Sequence, residues 1–173
     1  MKQIIIQYHK SPIGELVVGS CEGKLCVLDY RYRKMRAGVD RRIEKGLNAT
    51  MVEGISETNQ EAIKQLDEYL AGERTSFDIP LQMVGTDFQQ SVWNALLTIP
   101  YGETWSYGDL AKQLGDANAV RAVASANGAN SIAVIIPCHR VIGSDGSLTG
   151  YAGGLPAKKK LLTLEKTDLF SAA

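Results

Sequence analysis

Cys138 and His139 stand side by side in Ile136-Pro137-Cys138-His139-Arg140-Val141. A thiolate is the strongest soft nucleophile a side chain offers, and an imidazole exchanges protons near neutral pH. Neighbouring side chains usually point apart, so the dipeptide by itself reads more simply as a packing cysteine beside a partly exposed histidine. The flanks change that reading. The apolar run Ile132-Ala133-Val134-Ile135-Ile136 has the pattern of a buried extended segment. Pro137 fixes its own backbone and restricts Ile136, which turns the chain out of the core. A cysteine at that corner sits on a rigid mount at a pocket edge. Glu165 follows on a later helix; such a glutamate is ordinarily a solvated side chain, whereas a carboxylate that holds the imidazole would give a thiol version of the nucleophile–histidine–carboxylate triad.

The elements that must position these groups are legible around them. The last helix is expected over Pro156–Lys166, with proline in the first turn. Lys158, Leu161, Leu162 and Glu165 fall on one face of it, so the leucines anchor the helix while Lys158 and Glu165 reach two ends of a pocket. Upstream, Thr86-Asp87-Phe88-Gln89 has the capping-box pattern. Phe88, Val92, Ala95 and Leu96 form the buried stripe behind it, Trp93 is read as core, and Pro100 stops the helix. Tyr101-Gly102 is a turn, and Ser106 caps Tyr107–Leu114. Gly115-Asp116 breaks that helix, and Asn118 or a neighbour caps the next, Ala119–Asn127. Two short helices across a glycine-containing turn read as helix-turn-helix. Ile142–Tyr151, turning at Asp145-Gly146, is then the wing.

The second of these helices is nearly all small: Val120-Arg121-Ala122-Val123-Ala124-Ser125-Ala126-Asn127-Gly128. A helix reading bases in a major groove needs several Arg, Asn, Gln or Lys. With one cation, it is either a buried helix with a surface arginine or a helix that approaches a minor groove closely, with Arg121 entering the base stack.

Pro137–Val141, with these flanks, resembles the active-site motif of the O6-alkylguanine-DNA alkyltransferases, the methylated-DNA–protein-cysteine methyltransferases. The resemblance spans Thr86 to Glu165 and extends over the first 80 or so residues only in general layout. It implies an α/β N-terminal domain of ribonuclease-H-like fold, residues 1–83, and a mostly α C-terminal winged helix-turn-helix domain, residues 84–173. It implies single-turnover transfer of an alkyl group from O6 of guanine, or O4 of thymine, in double-stranded DNA to Cys138, with minor-groove approach and no cofactor. Base flipping follows from the chemistry, because the O6 substituent lies inside the duplex, where a thiol cannot reach it.

The implied roles are specific. His139 and Glu165 activate Cys138. Tyr107 donates a proton or hydrogen bond to the leaving guanine, although a tyrosine is more often packing. Arg121 fills the space of the extruded nucleotide, and Ala122, Ser125, Ala126, Asn127 and Gly128 line the groove. Backbone groups of Gly150-Tyr151-Ala152-Gly153-Gly154, chiefly Tyr151, Ala152 and Gly153, hold O6 and the base. The carbonyls of Cys138 and Val141 accept the exocyclic amine, and Lys158 steadies developing charge. Asn130, among the substrate-side residues, fixes the turn through its side chain. Arg140 meets either phosphate or an acidic neighbour. Ser131 and Ala133 stand where many relatives have proline, which widens the pocket wall.

The N-terminal half carries no demand for chemistry. Glu15–Cys21 and Lys24–Tyr30 flank Glu22-Gly23, a two-residue hairpin turn. Cys21 and Cys26 share a face of that hairpin, with His9 nearby in sequence. Core thiols are favoured over zinc ligands, since no fourth ligand or standard spacing accompanies them. No metal is expected, and the four-cysteine zinc module of transcription-activating relatives is missing. Arg31–Arg36 is a basic run, read as a solvated loop or an auxiliary phosphate contact. Ala37–Ile55 is expected to hold a loop and one short strand. Thr58-Asn59-Gln60-Glu61 is read as a capping box for a helix with Ala62, Ile63, Leu66, Tyr69 and Leu70 inward and Gly72 as its stop. Thr75–Val84 is the connection.

Composition sets the outer bounds. The 173 residues are 45% hydrophobic, enough for a real core, and carry 19 basic and 19 acidic side chains. A net charge of zero disfavours broad polyanion binding but leaves room for a local basic face. An odd count of three cysteines, without a signal-peptide pattern, predicts a cytoplasmic protein. No apolar run approaches a membrane span, and a monomer is expected. Two other functions compete: a damage-binding protein without transfer, which Cys138 argues against, and a Cys-His-Glu thiol hydrolase, which would have to turn over.

Overall fold

The computed structural model describes residues 2–171, with side chains to residue 166. The chain divides into two compact units, Met1–Thr86 and Asp87–Ala173. The first is built on a four-stranded sheet. Strands β1 (Lys2–Ser11), β2 (Gly14–Cys21) and β3 (Lys24–Tyr30) form an antiparallel meander, and β4 (Ala49–Glu53) returns parallel to β1. Glu22 and Gly23 both take positive φ, 50° and 80°, the backbone a two-residue hairpin needs.

Helices α1 (Arg36–Leu47) and α2 (Glu57–Leu70) accompany this sheet. Val39 and Ile43 of α1 join Ile4, Ile6, Val17 and Val27 in one apolar cluster. On the opposite face, Ser20 Oγ meets Ser56 Oγ, at the start of α2, at 2.7 Å. Cover from both sides explains why β3 is buried at every position after Lys24.

Helix α1 corrects the expectation of a loop before β4. Its sequence hides it: Gly38 and Gly46 lower helix propensity, no side chain caps its start, and only Val39 and Ile43 are buried. Gly46 is required by packing, because a Cβ there would collide with Val84. Helix α2 begins earlier than Thr58 suggests. Ser56 is extended and its hydroxyl accepts from Asn59 N at 3.0 Å, so Ser56 is the cap. The connection after α2 is itself paired: Leu25 N donates to Pro80 O and Gln82 N to Leu25 O, both at 2.8 Å. The basic run is not a free solvated loop. Arg31 reaches Glu15 at 2.9 Å, and Arg33 and Arg36 reach Asp29 at 2.8 and 3.0 Å.

The second unit contains α3 (Asp87–Leu96), β5 (Trp105–Ser106), α4 (Tyr107–Gln113), α5 (Val120–Gly128), β6 (Val141–Ile142) and α6 (Leu155–Ser171). Ser106 and Asp109 form a reciprocal capping box on α4. Helix α5 has no side-chain cap; Ala119 is its cap residue, and Asn118 N turns to Asp116 Oδ1 at 3.0 Å. Phe88 is 41% exposed, contrary to the stripe expected for it. The buried residues of α3, Val92, Trp93, Ala95 and Leu96, all lie in its second half, so its first turn stands clear of the packing. Trp93 is core, and its Nε1 donates to Ala126 O at 2.8 Å. In the wing only β6 is a strand, paired in parallel with β5. Beyond it a tight turn closes with Gly143 N on Ser147 O at 2.9 Å.

Candidate active site

The segment Ile132–Ile136 is buried, as its composition requires, but it is not extended. Val134 has φ 70°, and Ile135 N donates to Ala133 O at 2.8 Å across it. That is a γ-turn at a β-branched residue, a strained conformation. Asn130 holds it: its Nδ2 donates to Ile136 O at 2.8 Å, and its Oδ1 accepts from Ile132 N at 3.0 Å. The side chain thus satisfies backbone groups on both sides of the turn. Pro137 follows with φ −81° and ψ 63°, and Cys138 N donates to Ile136 O at 2.8 Å, an inverse γ-turn. Two successive tight turns deliver Cys138 onto the short 3₁₀ turn Cys138–Arg140.

Cys138, His139 and Arg140 are all buried there. Glu165, one face of α6 away from solvent, meets two of them. Its Oε2 lies 2.8 Å from His139 Nε2, and Arg140 grips both oxygens, Nε to Oε1 at 2.8 Å and Nη2 to Oε2 at 2.9 Å. Arg140 Nη1 donates to Ile99 O at 2.7 Å, so the guanidinium is fixed from a second side. Of the two partners left open for Arg140, the structure selects the acidic neighbour.

The electrostatics follow from these contacts. Burial pushes the Glu165 carboxyl up, but the bonds and charges of His139 and Arg140 outweigh it and hold the group at about 2. Burial pushes His139 below its ordinary value, more than the Glu165 carboxylate raises it. With the imidazole neutral, Arg140 supplies the standing counter-charge that keeps Glu165 ionised. A carboxylate cannot donate, so the shared hydrogen sits on Nε2 and the lone pair on Nδ1. Nδ1 is buried and finds no hydrogen-bond partner among the described residues. The imidazole is therefore a base with its accepting nitrogen unspent.

Lys158 is fully buried on α6. Its Nζ donates to Val141 O at 2.6 Å and to Thr149 O at 2.9 Å. Burial lowers its proton affinity, and the nearby Cys138 partly offsets that. Thr149 Oγ1 in turn donates to Tyr107 OH at 3.0 Å. Tyr107 and Thr149 open onto a cleft of about 500 Å³, walled also by Ala124, Asn127 and Gly128 of α5 and by Gly150, Tyr151 and Ala152. Gly153 and Gly154 continue the loop into α6, with Gly154 N on Tyr151 O at 2.9 Å. Cys138 is not in the cleft wall; Lys158 bridges the two.

On α5, Arg121, Ala122, Ser125 and Gly128 are exposed together. Ala126 and Asn127 were expected beside them on a DNA-facing surface, yet both are buried. A helix has one outer face, and the Trp93 bond to Ala126 O fixes which it is. Asn127 instead walls the cleft. In the first unit, Cys21 and Cys26 pack in the apolar cluster, burial pushes Cys26 up to about 12, and His9 Nε2 lies 2.8 Å from Asp67. Among the described residues no three His, Cys, Asp or Glu side chains are grouped to hold a metal ion. Sequence reasoning left the Arg140 clamp undecided and missed Thr149 altogether. Neither carries a local signal, since their partners lie 25 and 42 positions away.

The family model for the 6-O-methylguanine DNA methyltransferase DNA binding domain matches residues 87–167, and that for its ribonuclease-like domain matches residues 4–83. The chain belongs to this family. The methylated-DNA–protein-cysteine methyltransferase of Mycobacterium leprae is 49% identical over 165 residues, 94% of this chain and 92% of that one. For the Mycobacterium bovis methyltransferase the identity is 62% over 106 residues, 61% of this chain and 64% of that relative's length. A crystal structure of Mycobacterium tuberculosis OGT in complex with DNA superposes with a TM-score of 0.79 at 46% identity, covering 95% of this chain and 93% of that one. The ribonuclease-like and helical units of this methyltransferase family are therefore the two units described above.

Proposed function

We propose that this methyltransferase repairs DNA by moving an alkyl group from O6 of guanine, and by the same chemistry from O4 of thymine, onto Sγ of Cys138. The observation that carries the reading is the buried pair His139–Glu165 at 2.8 Å, adjoining Cys138 and leaving Nδ1 unspent. The Cys138 proton passes to Nδ1, directly or through one water, and Glu165 stabilises the imidazolium that results. The thiolate attacks the alkyl carbon, a C–S bond forms, and the C–O bond breaks with its electrons staying on the guanine. Tyr107 donates a hydrogen bond to that departing base, and Lys158 tempers the charge near Cys138. The backbone of Tyr151, Ala152 and Gly153 and the carbonyl of Val141 hold the flipped base. Val141 O already accepts from Lys158, and its second lone pair remains for the exocyclic amine.

Arg121, Ala122, Ser125 and Gly128 form the face that approaches the minor groove, with Arg121 entering the stack. The chain acts as a cytoplasmic monomer on double-stranded DNA, and no helix among the described residues is long and apolar enough to cross a membrane. A thioether cannot be hydrolysed as a thioester can, so each molecule reacts once. Intact mass after mixing with an O6-methylguanine duplex tests this. The expected result is a gain of one methylene, mapped to Cys138, saturating at one equivalent. Continued turnover would indicate a hydrolase, and tight lesion binding without mass gain would indicate a damage-binding protein.

A further inference from the structure

We infer that Thr149, on the wing, is a positioning residue for the transfer: its hydroxyl occupies the phenol oxygen of Tyr107 and leaves the Tyr107 O–H free to donate into the cleft. The inference rests on the transfer reading above and goes beyond it, because nothing in the sequence pattern points to Thr149. Thr149 Oγ1 donates to Tyr107 OH at 3.0 Å. A phenol oxygen carries a single proton. With Thr149 as the donor in this pair, that proton is not committed to the wing. Both residues wall the cleft, where a flipped purine would present its ring nitrogen as an acceptor.

The threonine is itself fixed from behind. Lys158 Nζ donates to Thr149 O at 2.9 Å while also holding Val141 O at 2.6 Å. Lys158 is fully buried, so the wing is pinned to α6 at this residue. A β-branched side chain has few χ1 options, which keeps the hydroxyl aimed. Tyr107 is held from the other side as the first residue of α4, behind the Ser106–Asp109 capping box. The chain Lys158–Thr149–Tyr107 thus orients a donor from two rigid elements.

The test is a double-mutant cycle under single-turnover conditions, with an O6-methylguanine duplex and intact-mass detection. Thr149→Val keeps the shape and removes the hydroxyl; it should slow transfer about fivefold, the worth of one neutral hydrogen bond. Thr149→Ser should restore the rate to within about twofold of the native protein by returning that bond. Tyr107→Phe should slow transfer at least about tenfold by removing the donor. In the Tyr107→Phe background, Thr149→Val should add nothing. Native-like rates for Thr149→Val, or an additive loss in the double variant, would overturn the inference while leaving the transfer reading intact. A native rate for Tyr107→Phe would overturn both Tyr107's role and the inference. A native chain that takes up no alkyl group would overturn the transfer reading itself and this inference with it. Melting temperatures of Thr149→Val and Thr149→Ser separate a folding defect from a positioning one: a rate loss that tracks melting and that serine does not rescue counts against the inference.

Discussion

Asp29 in the first unit and Glu165 in the second are both buried carboxylates clamped by basic side chains. Asp29 receives Arg33 at 2.8 Å and Arg36 at 3.0 Å. Glu165 receives Arg140 at 2.8 Å and His139 at 2.8 Å. Arg33 and Arg36 bring guanidiniums to Asp29, and these do not serve as proton acceptors, so the Asp29 clamp fixes structure. It ties the end of β3 to the start of α1. The Glu165 clamp pairs one permanent charge with one titratable ring. Arg140 keeps the carboxylate ionised at rest, and His139 can gain a proton without leaving an uncompensated charge. Under the proposed transfer, an imidazole in place of a second guanidinium is what lets this clamp act as a relay.

The largest expected effect isolates the group that the relay serves. Cys138→Ser leaves both clamps in place and should abolish alkyl uptake by mass, with duplex binding retained in a gel-shift assay. Next, Asp29→Asn should cost about 3 kcal/mol of folding stability, because it removes the buried carboxylate that Arg33 and Arg36 share and leaves Arg36 paired with Asp40. Denaturant unfolding measures that, and the transfer rate of the folded fraction should be unchanged.

Acid should loosen the second unit through its own clamp. Glu165 has a folded value of about 2 against an ordinary 4.5. Its depressed value contributes stability that is present above 4.5 and lost as pH falls towards 2, about 3 kcal/mol in all. His139 is depressed below its ordinary 6.5. The unfolded chain therefore binds that proton first, and stability starts to fall once pH drops below 6.5. Both tryptophans, Trp93 and Trp105, lie in this unit, so the urea midpoint followed by their fluorescence should decline from pH 7 to pH 4. A flat midpoint would mean His139 is solvated rather than buried neutral.

Glu165→Gln should slow transfer about a hundredfold and move the pH profile of Cys138 alkylation by iodoacetamide to higher pH. An unchanged profile would reduce the Glu165 clamp to the structural kind. The smallest effect follows the reaction itself. Methylation removes the thiol from the relay and adds a carbon to a corner where Cys138 is 5% exposed. The penalty of an unpaired buried group and an overpacked site is about 1–3 kcal/mol. The mass-confirmed methylated protein, freed of DNA, should melt several degrees lower by scanning fluorimetry.

What the sequence determined by itself is what neighbouring residues decide. The Glu22-Gly23 hairpin, the Ser106 cap and the rigid corner at Pro137 depend on local backbone preferences and short-range hydrogen bonds, so residue types and spacing suffice to read them. The placement of Lys158 and Glu165 on one inward face of α6 also follows, because helical periodicity is local. Tertiary structure decided the rest. Helix α1 lacks a cap and carries two glycines, and it persists because Val39 and Ile43 bury against a sheet formed elsewhere in the chain. Val134 takes a strained turn in place of a strand, and Asn130 holds the backbone on either side of it at Ile132 and Ile136. Phe88 and Asn127 exchanged their expected surroundings because burial on a helix depends on where the partner elements end. Arg140 found Glu165, and Thr149 found Tyr107, across 25 and 42 positions. Contacts at such separations are set by how elements pack against one another, and no local pattern of residues encodes that packing.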